Sequence, residues 1–123
     1  MSDNSGYSVA SAGDVNNDGI TDLLIGAWLA NSQAGNSYVV FGRAGLGGSG
    51  SLELSSLNGT NGFVLNGEQS KDFSGYSVAS AGDVNGDGIV DLVIGAYGAN
   101  SFAGKSYVVF GRTGLVSNGS LAL

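Results

Sequence analysis

The sequence predicts an all-β fold made of two copies of one structural unit. Three observations support this prediction: a long internal repeat, short apolar segments rich in β-branched and aromatic residues, and turn-forming residues between those segments. Glycine accounts for 23 of the 123 residues, and no segment has the periodicity of an amphipathic helix. The hydrophobic fraction of 42% is sufficient for a packed core, so we expect a folded chain.

The internal repeat has a period of 69 residues and aligns Asp3–Leu54 with Asp72–Leu123. Thirteen of the 52 aligned positions differ and 39 are identical. Residues 55–71 occur once and join the copies. We therefore predict two units, residues 1–71 and 72–123, in which 55–71 is an outer strand or linker of the first. The sequence alone does not distinguish a natural duplication from an engineered array or an excised fragment.

Each copy contains three short segments that predict strands. In the first copy, Tyr7–Ala12 alternates larger and smaller side chains, Leu23–Ala27 is continuously apolar, and Tyr38–Phe41 combines aromatic and β-branched residues. Strands that are apolar on both sides need cover on both faces of their sheet. Stacked four-stranded antiparallel sheets, as in the blades of a β-propeller, provide that cover. The alternative is a β-sandwich, whose outer faces should be more polar.

The fourth strand is predicted in the first copy only. Phe63–Leu65 lies between the turn-forming pairs Asn61-Gly62 and Asn66-Gly67, and the second copy has no counterpart. Whether Ser51–Leu54 and Ser120–Leu123 form short outer strands is left open by the sequence.

An acidic loop lies between the first two predicted strands of each copy. Asp14–Asp22 and Asp83–Asp91 both carry oxygen-bearing side chains at loop positions 1, 3, 5 and 9 and a glycine at position 6. This pattern is typical of calcium loops, because Ca²⁺ takes 6–8 oxygen ligands and the glycine permits the sharp turn. The carbonyl at position 7 is a further ligand candidate. Metal-free Asx-turns are the alternative, since Asp, Asn and Gly are also common turn residues.

The charge distribution favours a metal site. The chain has ten acidic and four basic residues, hence a net charge of −6, and six of its aspartates lie in the two loops. The four acids outside the loops balance the four bases. Because like charges repel strongly at close range, a bound cation would stabilise each loop. Two Ca²⁺ ions would reduce the net charge to −2.

The sequence around these loops resembles the FG-GAP repeat of integrin α-subunit β-propellers and its bacterial relatives. The segments that carry the resemblance are Phe73–Val78, the acidic loop, Asp91–Ala96 and Tyr107–Phe110. The resemblance covers almost the whole chain, although Trp28 and Tyr97 replace the proline of the GAP segment. It implies four-stranded blades that each hold one Ca²⁺, two per chain. The implied ligands are Asp14, Asn16, Asp18, the Ile20 carbonyl and Asp22, and then Asp83, Asn85, Asp87, the Ile89 carbonyl and Asp91.

Composition excludes several other functions. The chain has no cysteine and no histidine, which excludes thiol nucleophiles, disulfides and Ser-His-Asp triads. Four scattered cations argue against nucleic-acid binding, and no apolar run is long enough to predict a membrane span. The acids outside the loops are scattered, so a carboxylate- or metal-dependent hydrolase is disfavoured and we expect no enzyme.

The expected function is therefore an interaction or adhesion-type scaffold, or alternatively a purely structural repeat module without a partner. Propellers close with about 4–8 blades, so we expect three or four chains to complete a ring. A protein or glycan ligand is expected on the loops, with Trp28 and Tyr97 as candidate contacts. The resemblance implies an extracellular or cell-surface parent protein, although the first residues do not form an export signal.

Overall fold

The structure, a computed structural model, describes residues 2–115 and 118–123. The first residue of the predicted N-terminal unit and two residues of the second unit therefore lie outside the described residues. The strands are β1 (Ser5–Gly13), β2 (Asp22–Ala27), β3 (Asn36–Val40), β4 (Gly62–Asn66), β5 (Ser74–Gly82), β6 (Asp91–Ala96), β7 (Lys105–Val109) and β8 (Ser120–Ala122). Two short helical turns complete the described structure, a 3-10 turn at Leu54–Ser56 and α1 at Ala99–Phe102.

The first sheet has the strand order β1-β2-β3-β4-β8. Its first four strands are antiparallel, as expected for one blade. The fifth strand, β8, comes from the second repeat and pairs in parallel with β4, placing Leu121 opposite Leu65. The end of the second repeat is thus attached to the outer edge of the first blade.

The second sheet contains β5, β6 and β7 in that order. Its register repeats that of the first sheet: Val9 pairs with Ile25, and Val78 with Ile94. The described residues give this blade three strands, so the expected four-stranded arrangement is present in the first blade only. Ser51–Leu54 also differs from its counterpart, because Ser120–Ala122 forms β8 whereas the first-copy segment is not a strand.

The hydrophobic core lies between the two sheets. Both repeats contribute to it, with Leu24 and Val39 from the first sheet and Leu92 and Ile94 from the second, all fully buried. The linker strand β4 adds Phe63 and Leu65. Since the core forms between the two units, each blade stabilises the other.

The two sheets approach each other closely at two glycines. A Cβ atom added to Gly26 would lie 2.0 Å from the carbonyl oxygen of Gly75. Gly75 itself has a φ of +87°, a left-handed conformation that residues with a side chain rarely adopt. The backbone of β5 can therefore lie directly on β2.

Among the described residues, no helix has the length and hydrophobicity needed to cross a membrane.

Candidate metal centre

The two acidic loops are the turns of equivalent hairpins. Residues 14–21 connect β1 to β2, and residues 83–90 connect β5 to β6. Each hairpin places the final aspartate of the loop on the first residue of a strand, Asp22 on β2 and Asp91 on β6. The sheet therefore fixes position 9, while positions 1–8 extend beyond the strand ends.

Asp22 anchors the first loop from inside the protein. It is fully buried, and its two carboxylate oxygens accept hydrogen bonds from the backbone N–H groups of Val15 (3.0 Å) and Gly42 (2.9 Å). Burial raises the pKa of this carboxyl above its ordinary value, against the opposing effect of the two N–H donors, and repulsion from Asp18 and Asp14 acts in the same direction as burial. A nearby cation would favour its charged form.

Asp91 has the same role in the second loop. It is also fully buried and accepts hydrogen bonds from the N–H groups of Val84 (2.8 Å) and Gly111 (2.9 Å). The residues that donate to it match those that donate to Asp22 at a spacing of 69. The anchoring of the loop is therefore a property of the repeat.

The first aspartate of each loop organises the turn. Asp14 accepts hydrogen bonds from the N–H groups of Asp18 (3.0 Å) and Gly19 (2.7 Å). Asp83 does the same with Asp87 (3.1 Å) and Gly88 (2.7 Å), and it also accepts from Gly86 at 2.9 Å. These donors, led by Gly88, hold the pKa of Asp83 below its ordinary value.

The aspartate at position 5 closes the tip of the loop. Asp18 accepts a hydrogen bond from the Ile20 N–H at 3.0 Å, and Asp87 accepts one from Ile89 at 2.9 Å. Such contacts are Asx-type turns. They leave lone pairs on both carboxylates, because each ionised carboxylate has about four acceptor sites.

The amide of Asn16 lies between two of the aspartates. One of its terminal atoms is 3.0 Å from Asp14 Oδ1 and 3.1 Å from Asp18 Oδ1. With nitrogen at this place the amide donates to both carboxylates. With oxygen there, three oxygens converge and only a cation between them would offset their repulsion. The side chains at positions 1, 3 and 5 of the first loop are thus gathered around one point.

The donor types match the preferences of calcium. Ca²⁺ prefers hard oxygen ligands from carboxylates, amides and backbone carbonyls, which are the groups that each loop offers. In residues 2–115 and 118–123, however, no three acidic side chains are grouped as a metal cage. In the first loop, the buried Asp22 accepts hydrogen bonds from backbone N–H groups, and the side chain beside Asp14 and Asp18 is the amide of Asn16 and not a third carboxylate. The role of the ten predicted residues as ligands stays a prediction.

The comparison with known proteins agrees with this geometry. The family model described as FG-GAP repeat matches residues 5–40 and 74–109. The chain belongs to the FG-GAP repeat family. The all-β prediction and the resemblance on which the propeller-blade assignment depended are thereby confirmed, and the two sheets are FG-GAP blades.

Similar curated proteins are integrin α subunits. Integrin alpha-5 of Xenopus laevis is 36% identical over 115 residues, which is 92% of this chain and 10% of that protein. Integrin alpha-V of Gallus gallus is 34% identical over 120 residues, or 89% of this chain and 10% of that protein. Integrin alpha pat-2 of Caenorhabditis elegans is 32% identical over 99 residues, with coverages of 80% and 8%. The chain thus spans about a tenth of the length of these relatives.

The first FG-GAP loop also contacts the second repeat. The N–H of Arg112 donates to the carbonyl of Val15 at 2.9 Å, and Val15 is fully buried. In the second loop the counterpart of Val15 is Val84, which is 55% exposed. Within residues 2–115 and 118–123, the first loop is therefore held from both sides and the second from its own blade only.

An aromatic surface lies where the two FG-GAP blades meet. Its rings have neighbouring centroids 4.4–6.5 Å apart, and its members are Tyr7, Trp28, Phe73, Tyr76, Tyr97 and Phe102. The hydroxyls of Tyr7 and Tyr76 are 2.9 Å apart, and this hydrogen bond raises the pKa of Tyr76. Phe102 is 67% exposed. Exposed aromatic clusters are typical of interaction sites.

Sequence reasoning named only Trp28 and Tyr97 of this surface. Of the other four rings, Tyr7 lies in the first repeat and Phe73, Tyr76 and Phe102 lie in the second, so the packing of one repeat against the other completes the surface. One signal was present in the sequence: Tyr7 and Tyr76 occupy the same repeat position, as do Trp28 and Tyr97. A repeated aromatic at a strand end could have indicated a shared surface.

Proposed function

We propose that this chain is a non-catalytic, calcium-binding β-propeller module that acts as an adhesion-type scaffold. Each acidic loop binds one Ca²⁺, so the chain binds two. The first ion is held by Asp14, Asn16, Asp18, the Ile20 carbonyl and Asp22, and the second by the equivalent set from Asp83 to Asp91. The ions stabilise the hairpin loops, and the blades present a surface to a partner.

The observation that carries this proposal is the shared construction of the two loops. In each loop a buried aspartate fixes the base, and the aspartates at positions 1 and 5 accept hydrogen bonds from equivalent backbone N–H groups. Two residues within the loops differ between the copies, Asn17 against Gly86 and Thr21 against Val90, while every oxygen-bearing ligand candidate is kept. A requirement for ligands explains this selectivity better than a requirement for turns, since several residue types serve in turns.

The aromatic surface supports the interaction part of the proposal. Tyr and Trp side chains are enriched at the energetically important positions of protein interfaces. Tyr7, Tyr97 and Phe102 are each more than 40% exposed, so a partner could contact their rings directly. We assign this surface to a protein or glycan ligand. By analogy with the integrin relatives, we also place the parent protein at the cell surface or outside the cell.

A melting experiment tests the metal. Ca²⁺ at about 100 times its Kd stabilises the folded state by about 2.7 kcal/mol per site. For two sites in a chain of this size we expect the melting temperature to rise by more than about 10 °C relative to EDTA. Mg²⁺ at the same concentration should have a smaller effect, because it requires tighter octahedral geometry.

Matched variants distinguish metal ligands from metal-free turns. Asp18→Asn keeps the oxygen that accepts from the Ile20 N–H but removes one ligand charge of the first loop; Asp87→Asn does the same for Ile89 in the second. In EDTA both variants should melt near the unmodified chain, and calorimetric titration should give one Ca²⁺ instead of two. Glu53→Gln, an exposed acid outside the loops, is the control and should leave two sites. Equal melting of the unmodified chain in Ca²⁺ and EDTA would favour Asx-turns and contradict the proposal.

The alternative is a structural repeat module without a partner. The similarity of the two repeats, with 39 of 52 aligned positions identical, favours this alternative, because similar copies leave little room for a specialised site. Alanine at Tyr97 and Phe102 separates the two functions. If an adhesion partner contacts these rings, binding to immobilised extracellular-matrix protein or glycan should fall while calcium binding stays at two ions. If the unmodified chain binds none of the immobilised matrix proteins and glycans tested, the structural repeat module is favoured.

A further inference from the structure

The contact between the two repeats has two unlike sides. On the first repeat, the cross-strand rows Ser8–Gly26–Ser37 and Ala10–Leu24–Val39 face the second repeat. Ser8 Oγ donates to the Gly75 carbonyl at 2.8 Å across this contact. Leu24 and Val39 are fully buried by it. We call this contact the seam.

The second sheet carries the same rows on the face that points away from the first repeat, which we call the open face. They are Ser77–Gly95–Ser106 and Ala79–Val93–Val108, in the same register as in the first sheet. Five of these six residues are identical to their counterparts, with Val93 in place of Leu24. Yet this open face is uncovered: Val108 is 47% exposed, whereas its counterpart Val39 is fully buried. A groove lined by residues that include Ser77, Gly95 and Ser106 lies on it.

The first sheet has the complementary uncovered face. In the second repeat, Leu92 and Ile94 are buried against the first repeat. Their counterparts in the first repeat are Leu23, which is 46% exposed, and the half-buried Ile25. Val9, on the same rear face, is 67% exposed, although its counterpart Val78 packs against the core. Adjacent exposed apolar side chains of this kind are typical of an interface.

The segment that fills the seam is also present twice. Ser74-Gly75-Tyr76 lies against the first repeat, and Ser5-Gly6-Tyr7 has the same sequence on β1, the end strand of the first sheet. The backbone at Gly6 has a φ of +86°, nearly equal to the +87° at Gly75. A Cβ added at Gly6 meets no atom within 4 Å, whereas one added at Gly75 meets the Asn36 carbonyl at 2.6 Å. Gly6 therefore has the conformation of a seam residue, and no atom of the described residues lies near its Cβ position.

We infer that the open face of the second blade binds the rear face of the first blade of a second copy of this chain. The second copy places its Ser5-Gly6 segment in the groove above Gly95, as Ser74-Gly75 lies above Gly26. Ser77 Oγ then donates to a backbone carbonyl of the second copy, and Val84 accepts from its Arg43 N–H, as Val15 accepts from Arg112. The inference rests on the seam and does not require metal in the loops.

This contact is head-to-tail, because the two faces that meet are different. Each added copy leaves one face of either kind uncovered, so the contact repeats until the rotation closes a ring. Propellers usually have about 4–8 blades, so a closed ring of two-blade chains has two, three or four copies. The particle should have two, three or four times the chain mass of 12.2 kDa.

Sedimentation of the full chain over a range of concentrations tests the inference together with two single variants. Gly95→Ala should block the groove, since the matching Cβ at Gly26 would lie 2.0 Å from a backbone oxygen. Within one chain the new methyl group comes closer than 3.8 Å only to the exposed Ser77 hydroxyl, which can rotate away. Leu23→Asp introduces a charge on the rear face without disturbing the core. We expect each variant to weaken assembly at least about tenfold, a change of about 1.4 kcal/mol.

Mixing the two variants gives the sharpest result. Gly95→Ala retains an intact rear face and Leu23→Asp retains an intact open face, so an equimolar mixture should form a 1:1 heterodimer that cannot grow. Thr60→Asp adds the same charge at an exposed turn on neither face and should assemble like the unmodified chain. A chain that stays at 12.2 kDa at all concentrations overturns the inference. So does assembly that persists unchanged in either single variant, because another surface would then be responsible.

Discussion

The two repeats are nearly the same sequence in two different environments. Leu23 and Leu92 occupy the same repeat position, yet Leu23 is 46% exposed and Leu92 is fully buried. Val15 and Val84 show the reverse, with the first-repeat residue buried and the second 55% exposed. The first three strands and the acidic loops between the first two occupy equivalent positions in both copies. Burial in a stacked array is therefore decided by what lies on each side of a blade, and this neighbour effect can be measured on matched residues.

Alanine at the two leucines should give the largest difference. Leu92→Ala leaves a cavity in the core between the sheets and should lower the free energy of unfolding by about 2–5 kcal/mol. Leu23→Ala removes an exposed side chain and should cost less than about 1 kcal/mol in the monomeric chain. Urea unfolding measures both stability costs, at a protein concentration too low for the chains to assemble.

The same pair of variants also reports on neighbours. If a second copy covers the rear face, the cost of Leu23→Ala should increase with protein concentration while that of Leu92→Ala stays constant. Equal costs at low concentration would show that the two leucines do not differ in burial as described, and the comparison between the repeats would fail.

The buried aspartates should give an intermediate difference. Asp22→Ala leaves the N–H groups of Val15 and Gly42 without a partner, and an unsatisfied buried donor costs about 1–3 kcal/mol. Asp91→Ala should cost less, because Val84 is exposed and water can replace the carboxylate at its N–H. Thermal unfolding in EDTA isolates this structural role from metal binding. A larger loss for Asp91→Ala would contradict the assignment of the first loop as the one held from both sides.

The sequence predicted the local features of the two repeats but not the contacts of their buried aspartates. The strands, the hairpin loops and the ligand candidates repeat with the sequence, because each depends on spacing within about twenty residues. The roles of Asp22 and Asp91 were predicted less completely: both were named as ligands, while their bonds to Val15, Gly42, Val84 and Gly111 depend on the fold. Spacing places an oxygen in a loop but does not indicate which backbone groups will surround it.

Long-range pairing was the feature that sequence left open. Ser120–Ala122 forms a strand that pairs with β4. The equivalent segment of the first repeat, Ser51–Leu54, is not a strand, although three of its four residues are identical to their counterparts in Ser120–Leu123. The difference arises because β4 lies beside the end of the second repeat, and a parallel strand forms only where such an edge is available. A property of this kind belongs to the array and cannot be read from one repeat.

The linker contributes the smallest difference between the repeats. Glu68 lies in the linker, which has no counterpart in the second repeat. It accepts hydrogen bonds from the Tyr107 hydroxyl and from Lys105 Nζ, the latter at 3.2 Å. The hydrogen bond from Tyr107, followed by the hydrogen bond and the positive charge of Lys105, lowers the pKa of Glu68 below its ordinary value of 4.5. Tyr38, the counterpart of Tyr107, lies beside β4. Glu68→Gln should therefore reduce stability only slightly, since exposed charged contacts contribute little.

The pH dependence of this loss has a definite sign. A carboxyl with a lowered folded-state pKa contributes stability that is present above its unfolded value and is lost as the pH falls through the folded value. The small melting difference between the unmodified chain and Glu68→Gln should thus be constant above about pH 4.5 and disappear at lower pH. Tyr107→Phe should reproduce part of this difference, whereas Tyr38→Phe should not. A difference that grows on acidification would show that Glu68 is bound in its protonated form, and the linker would then contact the second blade in another way.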